Sequence, residues 1–264
     1  MYVLFTDEAN LDASAAADFF VCGGAFFPVD RFPAIHKGIA AIRERSGYKP
    51  DDRFKFNSRS KPDSVSSADF TAAKNEVYEL AQAEGVQFIG YAIQHAIARN
   101  QTPEDIHYWG LHALLSHFHL FLEANAEYGV FVCDRLPFRR PFDVLEEIFQ
   151  HGGRSVEGHR PRRPFDRVCA LATTTINASH ASSLADILLG GFRFCVNERD
   201  KDRVCSLLFP KLHRMMWGEG TGGGKRVLGK GLILRPEEII AARYQRIQEE
   251  LLEDFGRFLG SPIK

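Results

Sequence analysis

Residues 1–10, MYVLFTDEAN, decide how the rest of the chain is read. The apolar run Val3–Phe5 breaks at Thr6 and is followed at once by two acids, Asp7 and Glu8. A strand buried on both faces reads as a continuous apolar run. Such a strand gains nothing by ending in carboxylates, because unpaired charge is costly to desolvate. The stretch therefore predicts a core strand, Val3–Thr6, whose end delivers an acidic pair to the rim of a sheet.

Working outward, Phe19–Phe27 (FFVCGGAFF) is a second aromatic and β-branched run. The small, polar stretch between the two makes them antiparallel neighbours. Gly23 and Gly24 inside it mark a bulge or a close backbone approach. Phe32, Ile35, Ile39 and Ile42 recur at helical spacing, and Gly47 closes that helix. A polar, proline-flanked loop with a short strand at Phe54–Phe56 follows, then a helix over Ser67–Ala83 and a strand in VQFIGYAIQH. Thr102 caps a long amphipathic helix with Pro103 in its first turn. YGVFVCD is a short buried strand ending at Asp134, and Phe142–Phe149 reads as helical. RVCALATTTI is strand-like to about Ile176, and ASSLADILLGGF is an apolar helix interrupted by Asp186. Helices near Val204–Trp217 and Glu237–Leu259 flank a glycine-rich loop. Strands first, then strands alternating with helices, predict one α/β domain over residues 1–200. Residues 201–264 are expected as a helical C-terminal extension packed on that domain.

The balance of charge is near neutral, −1 over 264 residues, so no overall field draws the chain to nucleic acid or membrane. Any such binding must come from a local patch. No apolar run reaches the roughly 18 residues of a membrane span, and too little precedes Asp7 for a secretory segment. A cytoplasmic location is expected. The five cysteines form no CxxC pair and read as reduced core thiols.

Three acids stand on elements that otherwise read as core: Asp7 and Asp134 end apolar strands, and Asp186 interrupts an apolar helix. Two like charges about 4 Å apart repel by roughly 4 kcal/mol at an effective dielectric near 20. Converging carboxylates therefore need a cation or shifted pKa values. Mg²⁺ and Mn²⁺ take oxygen ligands, and such ions clamp the attacking and leaving oxygens of a phosphodiester. Adjacent strand residues point to opposite faces, so Asp7 and Glu8 both reach one site only if the strand has ended at Thr6. After Asp134, two segments carry Arg139, Arg140, Arg160, Arg162 and Arg163 interleaved with Phe138 and Phe165. That composition suits phosphate contacts and base stacking.

The order FTDEA, FFVCGGAFF, FKF, VFVCD and SSLADILLGGF resembles the bacterial domain-of-unknown-function family 3800 over most of residues 1–200. The resemblance implies a ribonuclease-H-like fold, a mixed β-sheet flanked by helices, and a metal-dependent nuclease or a descendant of one. By the same resemblance Asp7, Glu8, Lys55, Asp134 and Asp186 are the catalytic set. Asp7, Asp134 and Asp186 would ligate Mg²⁺ or Mn²⁺, and Lys55 would face the phosphate. Ala9 stands where the family has serine, and Ser183 where it has glutamine.

GEGTGGGKRV has neither the first glycine nor the Ser/Thr of a phosphate-binding loop, and it follows a helix. His107, His112, His117 and His119 lack the i, i+4 or HExxH spacing of a zinc site. Ser182 and Ser183 lack a nucleophile elbow. An actin-like phosphotransferase would need a glycine turn after Asp7, which is missing. The rival reading is a non-catalytic nucleic-acid-binding or protein-interaction module on the same fold, in phage defence or mobile elements. A homodimer through the C-terminal helices is a further expectation.

Overall fold

The computed structural model describes residues 1–11, 17–134, 146, 150–153, 164–174, 179–221 and 224–264. Strand β1 (Tyr2–Ala9) lies at the centre of the sheet, antiparallel to β2 (Phe19–Pro28) on one side. β3 (Gln87–Gln94) continues the meander antiparallel to β2. On its other side β1 runs parallel to β4 (Gly129–Asp134), and β4 runs parallel to β5 (Val168–Thr174). A separate hairpin pairs β6 (Glu219–Thr221) with β7 (Gly224–Arg226), after which β8 (Leu232–Arg235) joins the main sheet beside β3. The order is β5-β4-β1-β2-β3-β8, with only β2 reversed. This is a mixed sheet flanked by helices, the α/β arrangement expected for the chain.

Side chains alternate along the strands and so feed two cores. Val3 and Phe5 of β1 join Val21 and Phe27 of β2 on one face. That face is covered by α1 (Phe32–Arg45), α2 (Ser67–Ala83) and helix His180–Asn197. Leu4, Phe20, Phe26 and Phe131 point the other way, against helix Pro103–Ala124. A short helix α3 (His95–Ala98) precedes the latter, which is therefore α4, and His180–Asn197 is α5. Thr102 closes a capping box with Asp105 at the start of α4.

The C-terminal segment holds the two expected helices, α6 (Asp202–Met215) and α7 (Ala242–Leu259), and in addition supplies β8. Phe255 of α7 stacks on Phe209 of α6 at 4.2 Å between ring centroids. Leu251, Phe255 and Phe258 are buried there, so the apolar face of α7 is occupied within the chain.

Two local expectations are corrected. β1 does not end at Thr6: Asp7, Glu8 and Ala9 keep pairing, opposite Gly23, Cys22 and Val21. Backbone pairing with β2 sets the end of the strand, not the loss of apolar side chains. Phe54–Phe56 is not a strand. The loop is instead held from below by the buried Arg43 guanidinium, which donates to the carbonyls of Lys49, Pro50 and Asp52. Of the two roles expected for Gly23, the bulge is ruled out by the unbroken register of β2 on both sides and the close approach is the one found. A Cβ there would stand 3.1 Å from Leu189 of α5. Of the cysteines, Cys169 is exposed and the other four are buried. Of the expected helix Phe142–Phe149, all but Glu146 lies outside the described residues.

Helix α4 also stores an acid sensitivity. Burial, with some help from the Arg235 charge, lowers His112 and His117 to about 4 each. Above pH 6.5 both folded and unfolded chains carry neutral rings. As pH falls below 6.5 the unfolded chain takes up protons that the folded one refuses, so stability is lost down to about pH 4. Each histidine subtracts up to about 1.4 kcal/mol per pH unit in that window. Urea midpoints measured at pH 7.5 and 4.5 should fall between the two, and fall less in His112→Phe/His117→Gln. Equal losses in both proteins would refute the assignment.

Candidate active site

The end of β1 and the first turns of α5 come together on the α1/α2/α5 face of the sheet. Asp7 shares the parity of Val3 and Phe5, so its side chain points to that face. Gly23, directly opposite Asp7 on β2, lets α5 settle close to the sheet there. Asp186 thereby comes to line the same cleft as Asp7, close enough for its charge to act on the Asp7 carboxyl. The Phe56 N–H donates to Asp186 Oδ2 at 2.7 Å, and Lys55 Nζ stands 3.7 Å from Oδ1. Asp7 Oδ1 accepts the Glu8 N–H at 3.0 Å.

Electrostatics mark this as an unbalanced site. Burial, then the Asp186 and Glu8 charges, hold Asp7 well above the ordinary carboxylate range, against the opposing pull of Lys55. Burial also raises Asp186, although the Phe56 N–H and the Lys55 ammonium favour its charged form. One ammonium does not balance two desolvated carboxyls, so the pair favours an added positive charge, as a proton or a cation. The pair lines a cleft of about 390 Å³ whose other charged residues are Glu8, Lys55, Arg59 and Arg193.

The remaining predicted residues fall apart into different places. Glu8 points to the opposite face, where its carboxylate lies 3.5 Å from Nε2 of the buried His107. Strand geometry thus separates the acidic pair. Asp134 ends β4, and the β1–β4 ladder reaches Phe5 and Val132, leaving Asp7 and Asp134 each two residues beyond it. The backbone register sets them level on neighbouring strands. Among the described residues, however, no three acids, histidines or cysteines stand close enough together to enclose an ion. Arg139, Arg140, Arg160, Arg162 and Arg163 lie outside the described residues.

The donor set fits a small hard cation. Mg²⁺ characteristically takes one or two carboxylates and fills its shell with water and substrate phosphate oxygens. Asp7 and Asp186 offer such a pair, with no thiolate or imidazole beside them to favour a softer metal.

No family model and no curated protein sequence matches the chain. Among solved structures it is similar to a mutant of Bst-RNase HIII, with a TM-score of 0.36 and 13% sequence identity. That alignment covers 81% of this chain and 64% of the other, so the chain spans just under two thirds of that protein's length. No functional argument follows from so loose a superposition. No helix among the described residues is long and apolar enough to cross a membrane.

Sequence reasoning passed over the groups that hold the acids in place. The Phe56 N–H leaves no trace in a side-chain pattern. Lys74 did leave one: Phe70, Lys74 and Tyr78 share a stripe of α2 at i, i+4, i+8, so a lysine occupies a half-buried position between two buried aromatics. Asn10, next to the acids, has a left-handed backbone (φ 59°).

Proposed function

We propose that this protein is a divalent-metal-dependent nuclease of the ribonuclease-H-like class, hydrolysing phosphodiester bonds of DNA or RNA. The observation that carries this reading is the meeting of Asp7 and Asp186, remote in sequence, in a cleft where their charges are uncompensated. Asp7 and Asp186 would hold Mg²⁺ or Mn²⁺, with Asp134 joining from the neighbouring strand. When bound, the ion supplies charge neutralisation on the phosphodiester and activation of water. Lys55, beside Asp186, presents its ammonium to the phosphate, where charge grows as the bond breaks. The Phe56 N–H holds Oδ2 of Asp186, and Oδ1 is left beside Lys55. Glu8 acts at a distance, bracing β1 against α4 through His107. The resemblance of the motif order to family 3800 would give Asp7, Lys55, Asp134 and Asp186 these roles, and it differs over Glu8.

A non-catalytic nucleic-acid-binding module on this fold is the second reading, and the observation favouring it is that only two of the three acids meet. Calorimetric titration of Mn²⁺ into wild type, Asp186→Asn and Asp134→Ala, with cleavage of single- and double-stranded DNA and RNA followed in parallel, separates the two. The nuclease reading expects heat and cleavage in wild type, both abolished in Asp186→Asn and weakened at least tenfold in Asp134→Ala. Nucleic-acid binding that is indifferent to Mn²⁺ and to both changes, without cleavage, would establish the module instead.

A further inference from the structure

Next to the carboxylate cleft, and sharing Asn10, Phe56, Arg59 and Arg193 with it, lies a larger hollow of about 760 Å³. Its size falls within the roughly 300–1,000 Å³ of ligand sites. Helices α2 and α5 form its walls and α6 its lip, where Leu207 is 65% exposed.

The lining combines three chemistries. The first is cationic. The Lys74 ammonium lies 4.4 Å from the Phe56 ring centroid and 4.2 Å from that of Phe70, and donates to the Phe56 carbonyl. Among the described residues no carboxylate pairs with it, and burial lowers it to about 8. A cation half withdrawn from water without a counter-ion favours an arriving anion. Arg59 and Arg193 stand at the seam with the cleft, Arg193 facing Glu198 at 3.4 Å. The second is flat and apolar, supplied by Phe56, Phe194, Leu207 and Leu208. The third is an unsatisfied donor. Asn10 Nδ2 is buried at the same seam with no hydrogen-bond partner among the described residues, on a backbone in the left-handed region. Such strained, unsatisfied residues cluster where ligands bind.

We propose that this hollow seats an unpaired nucleotide of a single-stranded nucleic acid, next to the phosphate presented to Asp7 and Asp186. The apolar wall stacks on the base, the cations take the flanking phosphates, and Asn10 donates to an acceptor on the base edge. A duplex keeps its bases stacked and paired, and extruding one costs free energy that a single strand does not spend. The substrate class is therefore single-stranded nucleic acid. The placement of the phosphate rests on the nuclease reading; the base site itself does not.

Fluorescence anisotropy in EDTA at low, fixed salt tests the site without turnover. The probes are labelled oligo-dT and oligo-U of about ten nucleotides and a blunt duplex of equal length. At least one single strand should bind tenfold or more tighter than the duplex. Leu207→Asp and Lys74→Met should each weaken that binding about tenfold, the scale of one lost stacked base. Ile240→Asp, fully exposed and outside the lining, should leave it unchanged. If Lys74→Met fails to fold, the exposed Leu207 still decides the matter. Duplex binding as tight as single-strand binding, or affinity untouched by Leu207→Asp, would overturn the proposal. Single-strand binding lost in Leu207→Asp, with no Mn²⁺-dependent cleavage by wild type, would keep the base site and remove the nuclease reading. Cleavage of duplex by both wild type and Leu207→Asp would do the reverse.

Discussion

Asp7→Asn is expected to raise the unfolding temperature of the metal-free protein while removing the proposed divalent-cation-dependent activity. The two effects have one cause. Asp7 is held well above the ordinary carboxylate range by burial and by the charges of Asp186 and Glu8, against the opposing pull of the Glu8 N–H and of Lys55. A folded-state pKa raised above the unfolded value means that stability is full at low pH and is lost as pH rises through the folded value. Wild type therefore carries at neutral pH a cost that asparagine does not, while the amide oxygen still accepts the Glu8 N–H. Relieving a buried, uncompensated charge is worth about 1–3 kcal/mol. For a chain of this length that corresponds to about 2–4 °C per kcal/mol. The gain should be larger at pH 8 than at pH 4. Addition of Mn²⁺ should raise the unfolding temperature of wild type and leave Asp7→Asn unmoved, and cleavage should fall about 100-fold or more. An asparagine variant less stable than wild type at pH 8 without metal would remove the argument. Retaining two repelling acids at a cost in stability is what the proposed metal site requires.

That repulsion was partly legible in the chain. An acid after VLFT and an acid inside LADILLGG are both out of place in a core, and the two do meet. The sheet was legible too: runs rich in apolar residues form β1 to β5, and Thr102 and Pro103 begin α4 as their chemistry requires. What was not legible depended on partners far away. β1 runs on to Ala9 because Val21–Gly23 lie opposite to receive its hydrogen bonds, and this extension turns Glu8 away from Asp7. β8 was hidden in the glycine-rich stretch, although Leu232, Ile233 and Leu234 form the short apolar run of a buried parallel strand. The loop 49–56 reads as polar punctuation, yet Arg43 ties its backbone down so that Phe56 can reach Asp186. Periodicity reports which face of an element is buried; it is silent on a single backbone N–H aimed at a carboxylate.

Gly190→Ala is the substitution expected to break that aim, and its effect runs against ordinary helix propensity. In an exposed helix, glycine to alanine stabilises by about 1 kcal/mol. Gly190 lies one turn beyond Asp186 on α5, on the same side of the helix, and the Phe56 side chain packs directly on its Cα. A methyl there would collide with the Cβ and ring of Phe56. The loop must then lift, taking the Phe56 N–H from Asp186 and the Lys55 ammonium with it. Overpacking of this kind costs about 1–3 kcal/mol. Loss of the N–H leaves Asp186 free to rotate, so Mn²⁺ affinity and cleavage should fall by about 10–100-fold, as when a group that orients a ligand is removed. Phe56→Gly in the same chain removes the collision, and the double variant should recover stability beyond the sum of the single changes, with a coupling of about 1 kcal/mol or more. Thermal denaturation of the four proteins measures that coupling. Strict additivity, or a Gly190→Ala protein more stable than wild type, would show that the loop is not held against α5 and that Asp186 is oriented by other means.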